Sequence, residues 1–143
     1  MSQPDETREL VRQRAGGACE YCSLPEYASV LPHQIDHIIG RQHRGSDDVD
    51  NLCLSCIRCN QKKGPNIASI DPETGAMMPL YHPRRHSWLE HFAAVEARIA
   101  GLTPEGRATV QLMDMNNPDR VLLREALLRR GWQPLTRVRK SCD

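Results

Sequence analysis

Large aromatic side chains are scarce in this chain of 143 residues, with one Phe, two Trp and three Tyr. A core with so few large groups buries little apolar area, so a covalent or metal staple is expected beside it. Long apolar runs are also missing, and no stretch approaches the ~20 residues of a membrane-spanning helix. The opening MSQPDETREL lacks the apolar segment of a secretory leader. A cytoplasmic location, away from membranes, is the expectation. Net charge is only +1, so composition alone does not mark a partner for nucleic acid. No internal repeat or low-complexity segment is evident, and the length suits one domain with appended elements.

What the chain does have is six cysteines, which in a reducing compartment are expected to be free or metal-bound. Cys19 and Cys22 form one Cys-x-x-Cys pair and Cys56 and Cys59 another, with 33 residues between the pairs. Thiolates three apart on a tight turn can fill two corners of a tetrahedron, so two such pairs point to structural zinc. A redox pair and a mononuclear iron–thiolate centre are the competing readings, although the glycines and aromatics usual around such iron sites are missing. Cys53, three before Cys56, is an alternative ligand, read here as a small buried apolar residue on a strand. Cys142 is read as a free thiol of the tail.

Along the chain, Pro4 to Ala15 reads as a helix. Proline suits its first turn, Asp5, Glu6 and Glu9 its positive end and Arg12 and Arg14 its negative end; Leu10, Val11 and Ala15 are the inward candidates. Gly16 and Gly17 close it. Residues 23–32 form a linker. His33–Ile38 is expected as a strand, 40–50 as a polar ordered loop, Asn51–Ser55 as a second strand, and Ile57–Lys63 as a short helix ended by Gly64-Pro65.

That strand, loop, strand and helix carry Asp36-His37, Asn51 and Asn60, a set of residues suited to phosphodiester hydrolysis. The reaction needs an activated water and a cation against the phosphate charge. His37 is the candidate base, since imidazole titrates near neutral pH. Asp36 and Asn60 offer hard oxygens of the kind Mg²⁺ or Mn²⁺ prefers. A regular strand sends residues 36 and 37 to opposite faces, so both can serve one site only if the strand ends or bulges there. An irregularity is therefore expected. Each residue has a bland reading too: Asp36-His37 as a surface pair, Asn51 as a turn residue.

The series Asp36-His37-Ile38, Asn51-Leu52, Cys56-Ile57-Arg58-Cys59-Asn60 and Lys63-Gly64 resembles the HNH endonucleases. GPNIASIDPETG, LYHPRRHSW and Gly101-Leu102-Thr103-Pro104 extend the likeness to a bacterial subgroup with a C-terminal extension, over roughly residues 5–131. Asn60 replaces the name-giving final histidine, and Arg44 stands where many relatives have the first of two glycines. The resemblance implies an α+β fold, a zinc-stabilised ββα-metal core with an additional β-hairpin and a C-terminal helical pair. It also implies metal ligation by Asp36 and Asn60, loop bracing by Asn51, and products with 5′-phosphate and 3′-hydroxyl ends.

Arg41, His43, Arg58, Lys62, Lys63 and Arg84 are the candidate phosphate contacts, with the alternative that they are solvated charges. Residues 119–143 carry six Arg and one Lys against three acidic residues, a basic stretch suited to a phosphate backbone or simply solvated. Asp71-Pro72-Glu73-Thr74-Gly75 marks a turn inside a hairpin spanning 68–81. Trp88 and Phe92 read as a core staple, and Val95–Ala100 as a strand. Thr103-Pro104 and Asn117-Pro118 each open a helix, the second closed by Gly131. The expected division is 1–66 for the nuclease core, 67–131 for the extension packed on it, and 132–143 for a tail of little order. A DNA endonuclease, monomer or homodimer, is the leading expectation. The rivals are a non-catalytic zinc module that binds nucleic acid or protein, and an electron-transfer site.

Overall fold

The computed structural model describes residues 4–134; Cys142 and most of the expected tail lie outside them. The chain is α+β, with three separate antiparallel hairpins and no larger sheet among the described residues. It divides into two compact units. The first holds residues up to Ile67 together with His82–Arg84, and the second holds Ala68–Tyr81 and the residues from Arg85 onward.

The first unit opens with α1 (Asp5–Ala15), entered through Pro4 at φ −59° and closed by Gly16 at φ 65°. The amides of Gly16 and Gly17 turn back onto the carbonyls of Gln13 and Arg12, the hydrogen bonding of a glycine-terminated helix. Val11 and Ala15, four apart, are buried, whereas Leu10 is 44% exposed. Leu10 was expected inside; it lies about 100° round the helix from Val11, off the buried stripe. Strands β1 (Gln34–His37) and β2 (Leu52–Ser55) pair antiparallel. Leu52 and Leu54 are fully buried against Val11 and Ala15, with Ile35 packed beside them. Complete burial of each leucine contributes roughly 1.5–3 kcal/mol. The short helix α2 (Ile57–Lys63) follows, with the expected bounds.

In the second unit β3 (Ala68–Ile70) and β4 (Met77–Pro79) form the expected hairpin. α3 (Trp88–His91) leads into a further hairpin, β5 (Phe92–Val95) with β6 (Arg98–Gly101). The sequence pattern predicts a single strand over 95–100, where the structure has this hairpin. The turn between β5 and β6 puts Glu96 at φ 56° without the Asn-Gly or Asp-Gly pair that announces such turns. The rings of Trp88 and Phe92 lie 5.0 Å apart and both residues are buried. Helix α4 (Pro104–Leu112) is capped by Thr103 and α5 (Pro118–Arg129) by Asn117, each through its side chain and each with proline in the first turn.

α5 inverts the usual helical pattern: Arg120 and Arg124 are buried, while Leu122 and Leu123 are exposed. Arg120 donates to the carbonyls of Met113 and Asp114, and Arg124 to those of Ala97 and Met115. These two members of the basic C-terminal stretch therefore hold loops together instead of facing solvent.

Asp71 organises the β3–β4 turn. Its fully buried carboxylate takes both Nε and Nη2 of Arg107 at 2.9 Å, and also accepts from the Glu73 amide and the Thr74 hydroxyl. The Arg107 fork, ahead of the other donors, holds the Asp71 carboxyl far below the usual carboxylate range. A depressed folded-state pKa gives stability that is complete above the unfolded value of about 3.9 and is lost as pH falls through the folded value. Asp71→Asn is accordingly expected to lower the melting temperature at about pH 7 and to flatten its decline below about pH 4, so the two proteins converge in acid. Thermal unfolding across pH measures both effects.

Candidate active site

Two knuckles, far apart in sequence, close around one point in the first unit. Cys19 and Cys22 follow α1, while Cys56 is the residue before α2 and Cys59 lies in its first turn. Their four sulfurs all lie within 4.8 Å of one another, Cys22 Sγ to Cys56 Sγ being 3.7 Å, and all four residues are buried. A tetrahedral zinc with Zn–S of about 2.3 Å has sulfur–sulfur edges of about 3.8 Å, so the donor set fits. The amides of Tyr21 and Cys22 donate to Cys19 Sγ, and that of Cys59 to Cys56 Sγ, each at 3.4 Å. Such bonds favour thiolate over thiol. Burial above all pushes the thiols of Cys19 and Cys59 well up, and a dication would offset that cost. Cys53 is buried on β2 outside the cluster, as expected.

The pairing of β1 with β2 is one-to-one, Asp36 opposite Cys53 and His37 opposite Leu52. No bulge interrupts it; the expected irregularity is an ending, since β1 stops at His37. Gln34 and Asp36 therefore share the face toward α2, and His37 leaves the other side. α2 presents two polar residues three apart to the first face. Asn60 Nδ2 donates to Gln34 Oε1 at 2.6 Å, and Lys63 Nζ lies 3.3 Å from Asp36 Oδ2. These two rungs tie Asn60 to Gln34 and Asp36 to Lys63 across the contact between β1 and α2.

Asp36 is 7% exposed, and every contact falls on a single oxygen. Oδ2 takes the Tyr21 hydroxyl at 3.1 Å and the Lys63 ammonium, with Cys53 Sγ at 3.8 Å. Oδ1 takes no hydrogen bond from the described residues. Likewise Asn60 uses its amide nitrogen on Gln34 and keeps its carbonyl oxygen unbonded among the described residues. Oxygens of this kind are the hard donors that a cation retaining water prefers. Burial raises the Asp36 carboxyl above its ordinary range, opposed by Lys63 and then Tyr21. Lys63 also donates to the His37 carbonyl at 3.2 Å, so one ammonium pins the side chain of Asp36 and the backbone of His37.

His37 turns its Nε2 to Asp47 Oδ1 at 2.8 Å, and Arg41 reaches the same oxygen at 3.0 Å. The loop carrying these partners is braced by Asn51. Its Oδ1 accepts the Ile39 amide, and its Nδ2 donates to the carbonyls of Ile39 and Ser46. The loop also explains its glycine. A Cβ on Gly45 would sit 1.7 Å from the Ile39 carbonyl oxygen, so no side chain fits. Arg44 adopts φ 66°, a left-handed conformation that costs about 1–2 kcal/mol for a residue with Cβ.

Of the cations expected at phosphate, Arg41 and Lys62 are exposed, Arg58 is half-buried, and His43 bonds the Pro65 carbonyl. Lys63 and Arg84 both have partners within the unit, Lys63 buried on Asp36 and Arg84 paired with Glu20. Tyr21, Gln34, Lys63 as a partner of Asp36, and Asp47 were not read from the sequence as members of the site. The signal was there for Gln34, two before Asp36 on a strand, and for Lys63, three after Asn60 on a helix.

A two-stranded hairpin, a loop over its end and a short helix thus surround four thiols placed to hold one metal ion. Residues 19–66 match the model of the HNH endonuclease family, and the four cysteines lie inside that stretch. No curated protein and no solved structure matches the chain.

Removal of the metal should release the whole first unit. Cys56→Ser is expected to lose about one metal equivalent per chain and to unfold that unit, while Cys53→Ala keeps the metal. Metal analysis and amide exchange report the two outcomes.

Proposed function

We propose that the chain is an endonuclease that hydrolyses DNA phosphodiester bonds with a divalent cation, beside a structural zinc on Cys19, Cys22, Cys56 and Cys59. The observation that carries the reading is that Asp36 on β1 and Asn60 on α2 each leave an oxygen unclaimed among the described residues, on elements joined by two side-chain contacts, with His37 at the end of the same strand. Asp36 and Asn60 would hold Mg²⁺ or Mn²⁺, which when bound neutralises phosphate charge and stabilises the departing oxygen.

The protein groups supply the rest. His37 takes a proton from water as the water oxygen attacks phosphorus. The bond from phosphorus to the 3′ oxygen breaks and that oxygen takes up a proton, leaving 5′-phosphate and 3′-hydroxyl ends. The Asp47 carboxylate, exposed and shared by His37 and Arg41, stands in for a phosphate oxygen, and an exposed pair of this kind exchanges readily. Asn51 holds the loop so that the His37 ring keeps its aim. Arg41, His43, Arg58 and Lys62 contact the backbone phosphates. No described helix is long and apolar enough to cross a membrane.

The non-catalytic reading draws on one observation, that His37 and Asp36 already have protein partners. Plasmid nicking with Mg²⁺ or Mn²⁺ separates the two. His37→Ala is expected to slow nicking by at least about 100-fold while zinc content and DNA binding persist. Equal nicking by wild type and variant rejects the assignment, and DNA binding without nicking by the wild type establishes the rival.

A further inference from the structure

We infer that Tyr21 is the positioning residue of Asp36, linking the four-cysteine knuckle to the site of the divalent cation. The inference rests on the reading of Asp36 as a ligand of that cation. Tyr21 lies between Cys19 and Cys22, is fully buried, and donates its amide to Cys19 Sγ. Its neighbour Glu20 locks the knuckle onto β2: the Glu20 amide donates to the Leu54 carbonyl at 2.8 Å, and the Glu20 carboxylate accepts from the Leu54 amide at 3.0 Å. With the knuckle held to β2, the ring places its hydroxyl 3.1 Å from Asp36 Oδ2, beside Cys53.

A buried phenol hydroxyl needs a partner, and a carboxylate held through one oxygen presents the other in a defined direction. Lys63 grips the same oxygen from α2. Tyr21 and Lys63 thus hold Oδ2 from two sides and leave Oδ1 for the cation. Lys63 is itself a cation and repels a second one, so its removal has two opposed effects. Tyr21 carries no charge, and its contribution is orientation alone. Loss of a hydrogen bond that orients a ligating carboxylate typically weakens metal binding by about 10–100-fold.

The test is Mn²⁺ binding to the full zinc-loaded chain, followed by electron paramagnetic resonance, so that no turnover is required. Tyr21→Phe is expected to weaken Mn²⁺ binding by at least about 10-fold with zinc content unchanged. Combined with Asp36→Asn, it should add nothing to the loss that Asp36→Asn causes alone, because the hydroxyl acts through that carboxylate. Mn²⁺ affinity equal to wild type in Tyr21→Phe, or a further loss in the Asp36→Asn background, overturns the inference and leaves the nuclease reading standing. A wild type that binds no Mn²⁺ brings down the cation reading itself, and this inference with it. Should Tyr21→Phe lose its zinc, para-methylphenylalanine at the position fills the same volume without a donor, and para-aminophenylalanine restores one. Weakened Mn²⁺ binding with the first and recovery with the second supports the inference, and equal affinity in both overturns it.

Discussion

Four buried sulfurs within 4.8 Å of one another, placed to hold one metal ion, are the constraint on which the first unit depends. The constraint joins the end of α1 to the start of α2 across 33 intervening residues, and the β1–β2 hairpin lies between those anchors. A chain poor in large aromatics has few apolar groups with which to fix a seven-residue helix, and a helix that short has little stability of its own. Tied through Cys56 and Cys59, α2 can present Asn60 and Lys63 in a fixed direction. Binding free energy at the sulfurs thereby becomes orientation at oxygens some distance away.

The adjacent Asp36 and His37 pose a problem of direction, and the fold answers it by dividing labour. A strand cannot aim consecutive side chains the same way. Asp36 is drawn inward toward α2 and Tyr21, and His37, the last residue of β1, meets the loop braced by Asn51. Lys63 ties the two together, since it bonds the carboxylate of one and the carbonyl of the other. The loop conformation is equally determined, with Gly45 excluded from carrying a side chain and Arg44 forced into a left-handed conformation.

Much of this was legible in local chemistry. The bounds of α2, the turn at Asp71–Gly75 and the caps Thr103 and Asn117 follow from residues acting on their immediate neighbours. The two Cys-x-x-Cys pairs announced their own meeting, since four thiolates in such spacing have few other uses. What escaped the sequence depends on partners distant in the chain. The buried arginines of α5 look like surface charges until the carbonyls of Ala97, Met113 and Met115 are seen around them. Tyr21 reads as an ordinary knuckle residue until Asp36, fifteen positions on, appears against its hydroxyl. The β5–β6 hairpin was hidden for the opposite reason: its turn uses a glutamate where the backbone favours glycine or asparagine.

The membership of His82–Arg84 in the first unit has a consequence for where this molecule can be divided. The recognisable motif ends at residue 66, yet the guanidinium that neutralises Glu20, between two of the sulfur ligands, arrives from position 84. A fragment stopped at the motif's end would take the Arg84 guanidinium away from Glu20, in the turn that carries Tyr21. The matched motif and the compact unit are thus different lengths of polypeptide, and a transplant of this unit must carry the later segment along.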